Sequence, residues 1–115
     1  MMKKSKIAVK KINRKLKILG VTVLTSFNEK DLLNLGFKDN LEIQIKRLIK
    51  IAQSVNLYGV ICSPLETKMI KEIAPKLKCF TPGIRISNES KDDQKRTMTA
   101  NEAIKAGSDF LIIGR

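Results

Sequence analysis

Four short apolar runs, separated by longer amphipathic stretches, constrain the fold of this chain more than any other feature. The runs are rich in β-branched residues and cover residues 18–25, 58–63, 78–81 and 110–113, so each predicts a buried strand. Parallel neighbours need crossover connections, which the intervening stretches can supply as helices. The alternation predicts an α/β protein with about four parallel strands, which could form a small open sheet or part of a larger barrel.

The stretch between the first two runs carries signals for two helices. A short helix is expected from about residue 29 to residue 35, closed by Gly36. A longer helix is expected to be capped by Asp39, with Glu42 three residues on. Apolar side chains recur in that helix at spacings of three and four, and they define one buried face: Leu41, Ile45, Leu48 and Ala52.

Two further helices begin with capping boxes. Ser63 and Glu66 flank Pro64 at the first helical position, and the helix that they open should run to about residue 73. Thr99 and Glu102 open the last helix, which should end at residue 107. The residues from 83 to 98 lack a clear period and predict a polar loop.

Positive charge is concentrated at the amino terminus. The net charge is +12, and residues 1–17 hold eight of the 23 lysine and arginine residues and none of the 11 acidic ones. Such a segment could bind nucleic acid through its phosphates. The few aromatic residues do not interleave with the cations as base stacking requires, so nucleic acid is not the expected partner. We expect a solvated, partly ordered helix without a clear cap.

Histidine is absent, which removes the commonest general base and the commonest metal ligand. Cys62 and Cys79 lie in separate apolar runs and predict buried free thiols rather than a disulfide or a metal site. No metal and no cofactor are expected. Because no apolar run approaches the roughly 20 residues that span a bilayer, and no signal-peptide core follows the basic terminus, a cytoplasmic protein without membrane contact is expected.

Polar residues and glycines follow three of the four predicted strands. Thr25 ends the first strand, Gly83 and Arg85 follow the third, and Gly114 and Arg115 follow the fourth. Ligands of parallel α/β folds bind at the carboxyl ends of the strands. An arginine can bond phosphate through two donors, and glycine lets the backbone approach it. The pattern indicates a phosphate site, with merely solvated arginines as the alternative.

Five strings in these positions resemble the orotidine 5'-phosphate decarboxylase family. They are VTVLTS (residues 21–26), YGVICSP (58–64), TPGIR (81–85), DDQKR-x-MT (92–99) and IIGR (112–115), in that family's order and spacing. The resemblance implies a TIM (β/α)8 barrel, of which this chain would be the C-terminal half, with strands five to eight. It also implies a homodimer and the ligands orotidine 5'-phosphate and uridine 5'-phosphate.

The resemblance assigns ligand-binding roles to five residues. Thr25 would face the nucleotide near the pyrimidine. Arg85 and Arg115 would contact the 5'-phosphate. Gln94 would bridge phosphate and base, and Gly114 would contribute a backbone contact. Residues 86–98 would form the lid that closes over the phosphate.

The family's catalytic segment has no counterpart in these residues. Catalysis there depends on an upstream lysine and a D-x-K-x-x-D segment, in which an aspartate stresses the substrate carboxylate and a lysine protonates the carbon. The one similar string, Asp93-Gln94-Lys95, lacks the second aspartate. No catalytic residue is therefore assigned, and the chain is expected to be inactive alone. A non-catalytic nucleotide- or phosphate-binding remnant is the first alternative, and a basic nucleic-acid-binding module is the second.

The resemblance also divides the chain into two parts. Residues 1–17 would be the remnant of the fourth barrel helix, and residues 18–115 would be the half-barrel. A TIM barrel typically needs about 250 residues. Four strands without closure would leave both sheet edges unpaired and the apolar barrel interior exposed, so marginal stability and self-association are expected.

Overall fold

The computed structural model of the chain describes residues 1–13, 15–85 and 96–114, in which strands and helices alternate. The strands are β1 (Leu19–Val21), β2 (Gly59–Ile61), β3 (Lys78–Thr81), β4 (Ile84–Arg85), β5 (Met98–Thr99) and β6 (Phe110–Leu111). The helices are α1 (Met2–Ile12), α2 (Glu29–Asn34), α3 (Leu41–Ser54), α4 (Thr67–Ile73) and α5 (Ala100–Lys105), and a 3-10 turn, Pro64–Glu66, leads into α4.

Four of the strands form one parallel sheet in the order β1-β2-β3-β6. In the centre of this sheet, Val60 lies opposite Gly20 on one side and Cys79 on the other. Helices α2 and α3 connect β1 to β2, α4 connects β2 to β3, and α5 lies between β5 and β6. The predicted α/β fold with four parallel strands is confirmed.

The strands are shorter than the apolar runs, because burial continues where strand pairing stops. Thr22, Val23 and Thr25 are all buried although β1 ends at Val21. Cys62 is likewise buried beyond the end of β2. Apolar patterning reports burial rather than hydrogen bonding, so it overestimates strand length at this edge of the sheet.

The hydrophobic core lies between one face of the sheet and the helices α3 and α4. Val60 and Cys79 from the strands join Ile45, Ile49 and Ile70 from the helices, and each of the five is at most 2% exposed. The apolar face predicted for α3 is therefore the face that packs against the sheet. Burying side chains of this size stabilises the fold by about 1.5–3 kcal/mol each.

Both cysteines are buried in this core and free, as predicted. A hydrogen bond with Cys79, together with burial, raises the pKa of Cys62 above its ordinary value. Cys62 therefore stays protonated at neutral pH and packs as a small apolar side chain. It is not poised to act as a nucleophile.

The start of α3 corrects one predicted cap. Its N-cap is Asn40 rather than Asp39, and the Asn40 side chain accepts a hydrogen bond from the Ile43 amide at 2.9 Å. Asp39 instead accepts a hydrogen bond from the Gln44 amide group at 3.2 Å and forms an ion pair with Arg47. Asparagine and aspartate cap equally well, so the sequence offered two adjacent candidates and only the backbone path decides between them.

The capping boxes predicted at the 3-10 turn and at α5 are both present. A further box, formed by Asn28 and Asp31, opens α2 and was not predicted. The reason is that its third-position residue is aspartate instead of the usual glutamate or glutamine. Helix α5 ends at Lys105, and Gly107 follows it in the left-handed region at φ 103°.

Helix α1 lies on the surface and has no buried residue. Ile7 and Ile12 of this helix are 50% and 87% exposed, and no side chain caps its start. Met2 and Lys6 hold it to the rest of the protein. Met2 packs against the core, and the Lys6 ammonium donates to the Val55 carbonyl at the end of α3, at 2.7 Å.

A second, two-stranded parallel sheet joins the segments around residues 84 and 98. Arg85 of β4 lies opposite Thr99 of β5, and the Met98 amide donates to the Gly83 carbonyl at 3.1 Å. The predicted polar loop over residues 83–98 is therefore wrong at both ends, because two-residue strands are too short to produce a visible alternation. Residues 86–95, which include most of the predicted lid, lie outside the described residues.

The sheet face opposite the core carries apolar side chains. Phe80 and Phe110 lie opposite each other on β3 and β6, with their rings stacked at 4.3 Å between centroids. Phe110 is 44% exposed and Val21 on β1 is 45% exposed. Within the described ranges, the outer strands β1 and β6 each pair on one side only. Marginal stability and self-association remain predictions that rest on these edges.

A polar cluster joins β3 to β6 at the amino-terminal edge of the sheet. Asp109 accepts hydrogen bonds from the Lys78 ammonium at 2.8 Å and from the Cys79 amide at 2.9 Å, and it forms an ion pair with Lys71. Burial by itself would raise the pKa of Asp109. The three partners outweigh burial and lower the pKa to about 2.

We predict that Asp109→Asn lowers the free energy of unfolding by about 2 kcal/mol at pH 7, because Lys71 and Lys78 lose their shared partner. The folded-state pKa of about 2 lies below the ordinary 3.8, so the unfolded chain takes up the proton first. The difference between the two proteins should persist above pH 4 and shrink as the pH falls through about 2.

Urea unfolding at pH 7, 4 and 2 measures this difference. Asp39→Asn is the matched control, because its ion pair with Arg47 lies at the surface and should contribute little. An Asp109→Asn effect that is unchanged at pH 2 would contradict the prediction.

Gly59 leaves no room for a side chain between β2 and β3, since an added Cβ would lie 2.4 Å from the Lys78 carbonyl oxygen. We predict that Gly59→Ala lowers the free energy of unfolding by about 2 kcal/mol, because β3 must move away. Gly114→Ala is the control, since a Cβ there meets nothing within 4 Å. Chemical denaturation followed by circular dichroism checks this, and equal midpoints for the two variants would refute it.

Candidate functional site

Three of the residues predicted to bind ligand follow strands of the parallel sheet. Thr25 follows β1, Arg85 follows β3 as part of β4, and Gly114 follows β6. Because parallel strands point the same way, the three lie toward the carboxyl edge of the sheet. Strands β3 and β6 are neighbours, so Arg85 and Gly114 follow adjacent strands, whereas Thr25 follows the outer strand β1. Gln94 and Arg115 lie outside the described residues.

Thr25 is 8% exposed and lies in a tight turn directly after β1. The turn is closed by a hydrogen bond from the Phe27 amide to the Leu24 carbonyl at 2.9 Å. The threonine hydroxyl can donate one hydrogen bond and accept others. Its position is therefore largely shielded from bulk water and set by the path of the turn.

Arg85 is half-buried and held on a paired backbone segment. Gly83 at φ 79° allows the sharp change of direction between β3 and β4, a conformation that favours glycine. The guanidinium donates to the Ile84 carbonyl at 3.4 Å. The backbone of Arg85 is paired with Thr99 of the adjacent strand β5.

Gly114 is exposed, and the space around its Cα is open. A bulky group can therefore come close to the backbone at this point. The structure thus places Thr25, Arg85 and Gly114 along one edge, and only the first of them is buried.

Among the described residues, the buried charged side chains are Glu66 and Arg96, at 6% and 8% exposed. They form an ion pair with each other at the carboxyl edge of the sheet. The Arg96 guanidinium also donates to the Val23 carbonyl at 3.0 Å and to the Leu24 carbonyl at 2.8 Å. The sequence did not predict either residue as part of the site. Glu66 already had a role in a capping box, and Arg96 stood out only as one letter of the DDQKR string.

The second carboxylate oxygen of Glu66 joins two strand ends. It accepts hydrogen bonds from the Thr22 hydroxyl after β1 and from the Ser63 amide after β2, both at 3.3 Å. The Ser63 hydroxyl in turn donates to the Arg96 carbonyl at 3.3 Å. Burial lowers the pKa of Arg96, but the ordinary pKa of arginine is so high that the guanidinium keeps its charge at neutral pH.

Two other kinds of site find no support in the parts of the chain that the structure describes. No three His, Cys, Asp or Glu side chains come together there as a set of metal ligands. No helix there is both long and apolar enough to cross a bilayer.

Parallel strands with helical crossovers, a core on one face, and polar residues at the carboxyl edge define an α/β protein that forms part of a TIM barrel. The fold is similar to the crystal structure of orotidine 5'-phosphate decarboxylase from Lactobacillus acidophilus, with a TM-score of 0.68 and 34% identity over 86% of this chain and 40% of that chain. An uncharacterized conserved protein from Geobacillus kaustophilus matches with a TM-score of 0.65 and 27% identity over the same shares.

The sequence model of the orotidine 5'-phosphate decarboxylase / HUMPS family matches residues 1–115, and the chain belongs to that family. It is 46% identical over 103 residues to the orotidine 5'-phosphate decarboxylase of Wolbachia pipientis subsp. Culex pipiens, which is 89% of this chain and 45% of the relative. It is 41% identical over 116 residues to that of Idiomarina loihiensis, which is 100% of this chain and 50% of the relative. The chain spans about half the length of these relatives.

Proposed function

We propose that this chain forms the nucleotide-phosphate-binding half of an orotidine 5'-phosphate decarboxylase. The complete enzyme would convert orotidylate to uridylate and carbon dioxide in pyrimidine biosynthesis. The observation that carries the proposal is the family match over residues 1–115. The polar residues at the carboxyl edge of the sheet support it, because that edge is where TIM-barrel enzymes bind their substrates.

The spacing of the strands suits a nucleotide. Thr25 follows β1 and Arg85 follows β3, which is two strands away. Neighbouring strands lie about 4.8 Å apart, so the two strands are separated by roughly 10 Å. A nucleotide covers a distance of this order between its phosphate and its base. Arg85 would therefore hold the phosphate through two charged hydrogen bonds while Thr25 lies beside the pyrimidine.

The other proposed contacts complete the phosphate end. Gly114 follows β6, the strand next to β3, and the open space around it allows a phosphate oxygen to approach the backbone. Gln94 and Arg115 are proposed as further ligands by resemblance to the family, and both lie outside the described residues.

Residues that only bind the nucleotide cannot decarboxylate orotidylate. By resemblance, the reacting carbon receives its proton from a lysine within a D-x-K-x-x-D segment, and the 115 residues contain no such string. We therefore propose that this chain binds nucleotide weakly and has no activity by itself, because no acid is placed at the reacting carbon. The homodimer and the cytoplasmic location belong to the same proposal.

The outer strands support the assignment to the second half of the barrel. β1 and β6 would be strands five and eight, and their unpaired sides would meet strands four and one. Residues 18–115 would then form the half-barrel, and residues 1–17 the remainder of the fourth helix and its loop. The exposed Val21 and Phe110 would become part of the barrel interior.

The first test of this function is binding of uridine 5'-phosphate to the purified chain by calorimetry. We expect Arg85→Ala to weaken binding by at least about tenfold, because the loss of charged hydrogen bonds to phosphate exceeds about 1.4 kcal/mol. Arg47→Ala is the matched control, since it removes one positive charge at a surface site on α3. Equal affinity of all three proteins would exclude phosphate binding by Arg85.

The second test is reconstitution of the barrel. The chain is mixed with a separately expressed amino-terminal half of the Idiomarina loihiensis relative, and loss of orotidylate is followed by absorbance. We expect turnover from the mixture and none from either half alone. A partner half without its D-x-K-x-x-D lysine is the control. Turnover by this chain alone, in a preparation cleared of host enzyme, would overturn the proposed inactivity.

A further inference from the structure

The buried Glu66–Arg96 pair connects parts of the edge that are far apart in sequence. Arg96 lies two residues before β5 begins, while Glu66 ends the 3-10 turn after β2. Arg96 also binds the carbonyl of Val23, which lies after β1, and that of Leu24, the first residue of the turn that carries Thr25. A single guanidinium therefore contacts both the segment after β1 and the segment after β2.

Of the two carbonyls that Arg96 binds, that of Val23 has a particular need for a donor, whereas that of Leu24 also accepts the hydrogen bond from the Phe27 amide. Both lie beyond the last paired residue of β1, so neither lies within the paired strand. A buried carbonyl without a partner costs free energy, and the chain would otherwise rearrange to satisfy it. The planar fork of arginine can serve two consecutive carbonyls and a carboxylate at once, which a lysine cannot do in fixed geometry.

The carboxylate of Glu66 fixes the guanidinium in turn. One oxygen pairs with Arg96, and the other accepts hydrogen bonds from Thr22 and Ser63. The Ser63 hydroxyl also holds the Arg96 carbonyl, so both the side chain and the backbone of Arg96 are restrained. The carboxylate is thus occupied on both oxygens and has few alternatives to this arrangement.

Stability alone does not explain an ion pair at this place. A buried ion pair stabilises a fold no better than a well-packed apolar pair of similar volume. An apolar pair could not bind two consecutive carbonyls and so could not set the path of the turn that follows. The position of the pair also matters, because β5 pairs with β4, which carries Arg85.

We propose that Arg96, held by Glu66, is a positioning residue for the nucleotide site. It fixes the carbonyls of Val23 and Leu24 and thereby the location of Thr25, and through β5 it ties this turn to the strand that carries Arg85. It touches no substrate itself. The inference rests on the proposed function, in which Thr25 and Arg85 hold opposite ends of one nucleotide.

The test uses the full chain with the double substitution Glu66→Leu and Arg96→Met. Because it removes both charges, it leaves no unpaired buried charge, so it should lower the unfolding midpoint less than either single substitution does. We expect the affinity for uridine 5'-phosphate to fall at least about tenfold. We also expect the Phe27 amide, which closes the turn, to exchange with deuterium at least about tenfold faster.

Two comparisons separate positioning from stability. The variant Gly59→Ala should be less stable, but the ratio of the Phe27 and Leu57 amide exchange rates should stay at the wild-type value. Leu57 is the reference because its amide donates to the Ala52 carbonyl of α3. Arg96→Lys keeps the charge and should still show faster exchange at Phe27, because one ammonium cannot replace the fork. Exchange at Phe27 is measured without ligand, so it tests Arg96 even if the chain binds no nucleotide.

The outcomes are distinct for the two proposals. Failure of the wild type to bind uridine 5'-phosphate, with faster Phe27 exchange in the double variant, would count against the proposed function and support the role of Arg96 in ordering the turn. Wild-type exchange at Phe27 in both the double variant and Arg96→Lys would overturn the positioning role. Nucleotide affinity within about threefold of wild type in the double variant would overturn it as well.

Discussion

The parallel pairing of β2 with β1 and β3 is the constraint on which the rest of the structure depends. At Gly59, which lies opposite Lys78, the backbones of β2 and β3 come so close that no Cβ fits. Because the pairing is parallel, every strand presents its carboxyl end at the same edge. Residues that are distant in sequence, such as Thr25 and Arg85, are brought to one edge by this pairing.

The two edges of the sheet hold their charges in different ways. At the amino-terminal edge, Asp109 binds two lysine side chains and a backbone amide, and these contacts link β3 to β6. At the carboxyl edge, Glu66 and Arg96 are more deeply buried, and they bind backbone groups that lie outside the strands. The first arrangement stabilises the sheet, whereas the second determines the path of turns. This separation is typical of barrels that bind ligands at the carboxyl edge only.

The open face of the sheet follows from the same topology. Helices cover one face of the sheet, and the core lies between them and the sheet. The side chains of Phe80, Phe110 and Val21 lie on the other face. In a closed barrel that face is interior and is filled by side chains from alternate strands. The matched relatives are about twice as long as this chain, and within the described residues the outer strands of the sheet each pair on one side only.

The sequence by itself determined the parallel α/β class, two of the capping boxes, the buried free thiols and the family, since each depends on local spacing or on strings of adjacent residues. The sequence predicted Asp39 as the cap of α3 where the structure has Asn40, did not predict β4 and β5, and predicted strands that are too long, because those features depend on backbone path and pairing. It also gave no hint that Arg96 meets Glu66, Val23 and Leu24. Such contacts join residues separated by 30 or more positions, so only the packing of three strand ends could decide them.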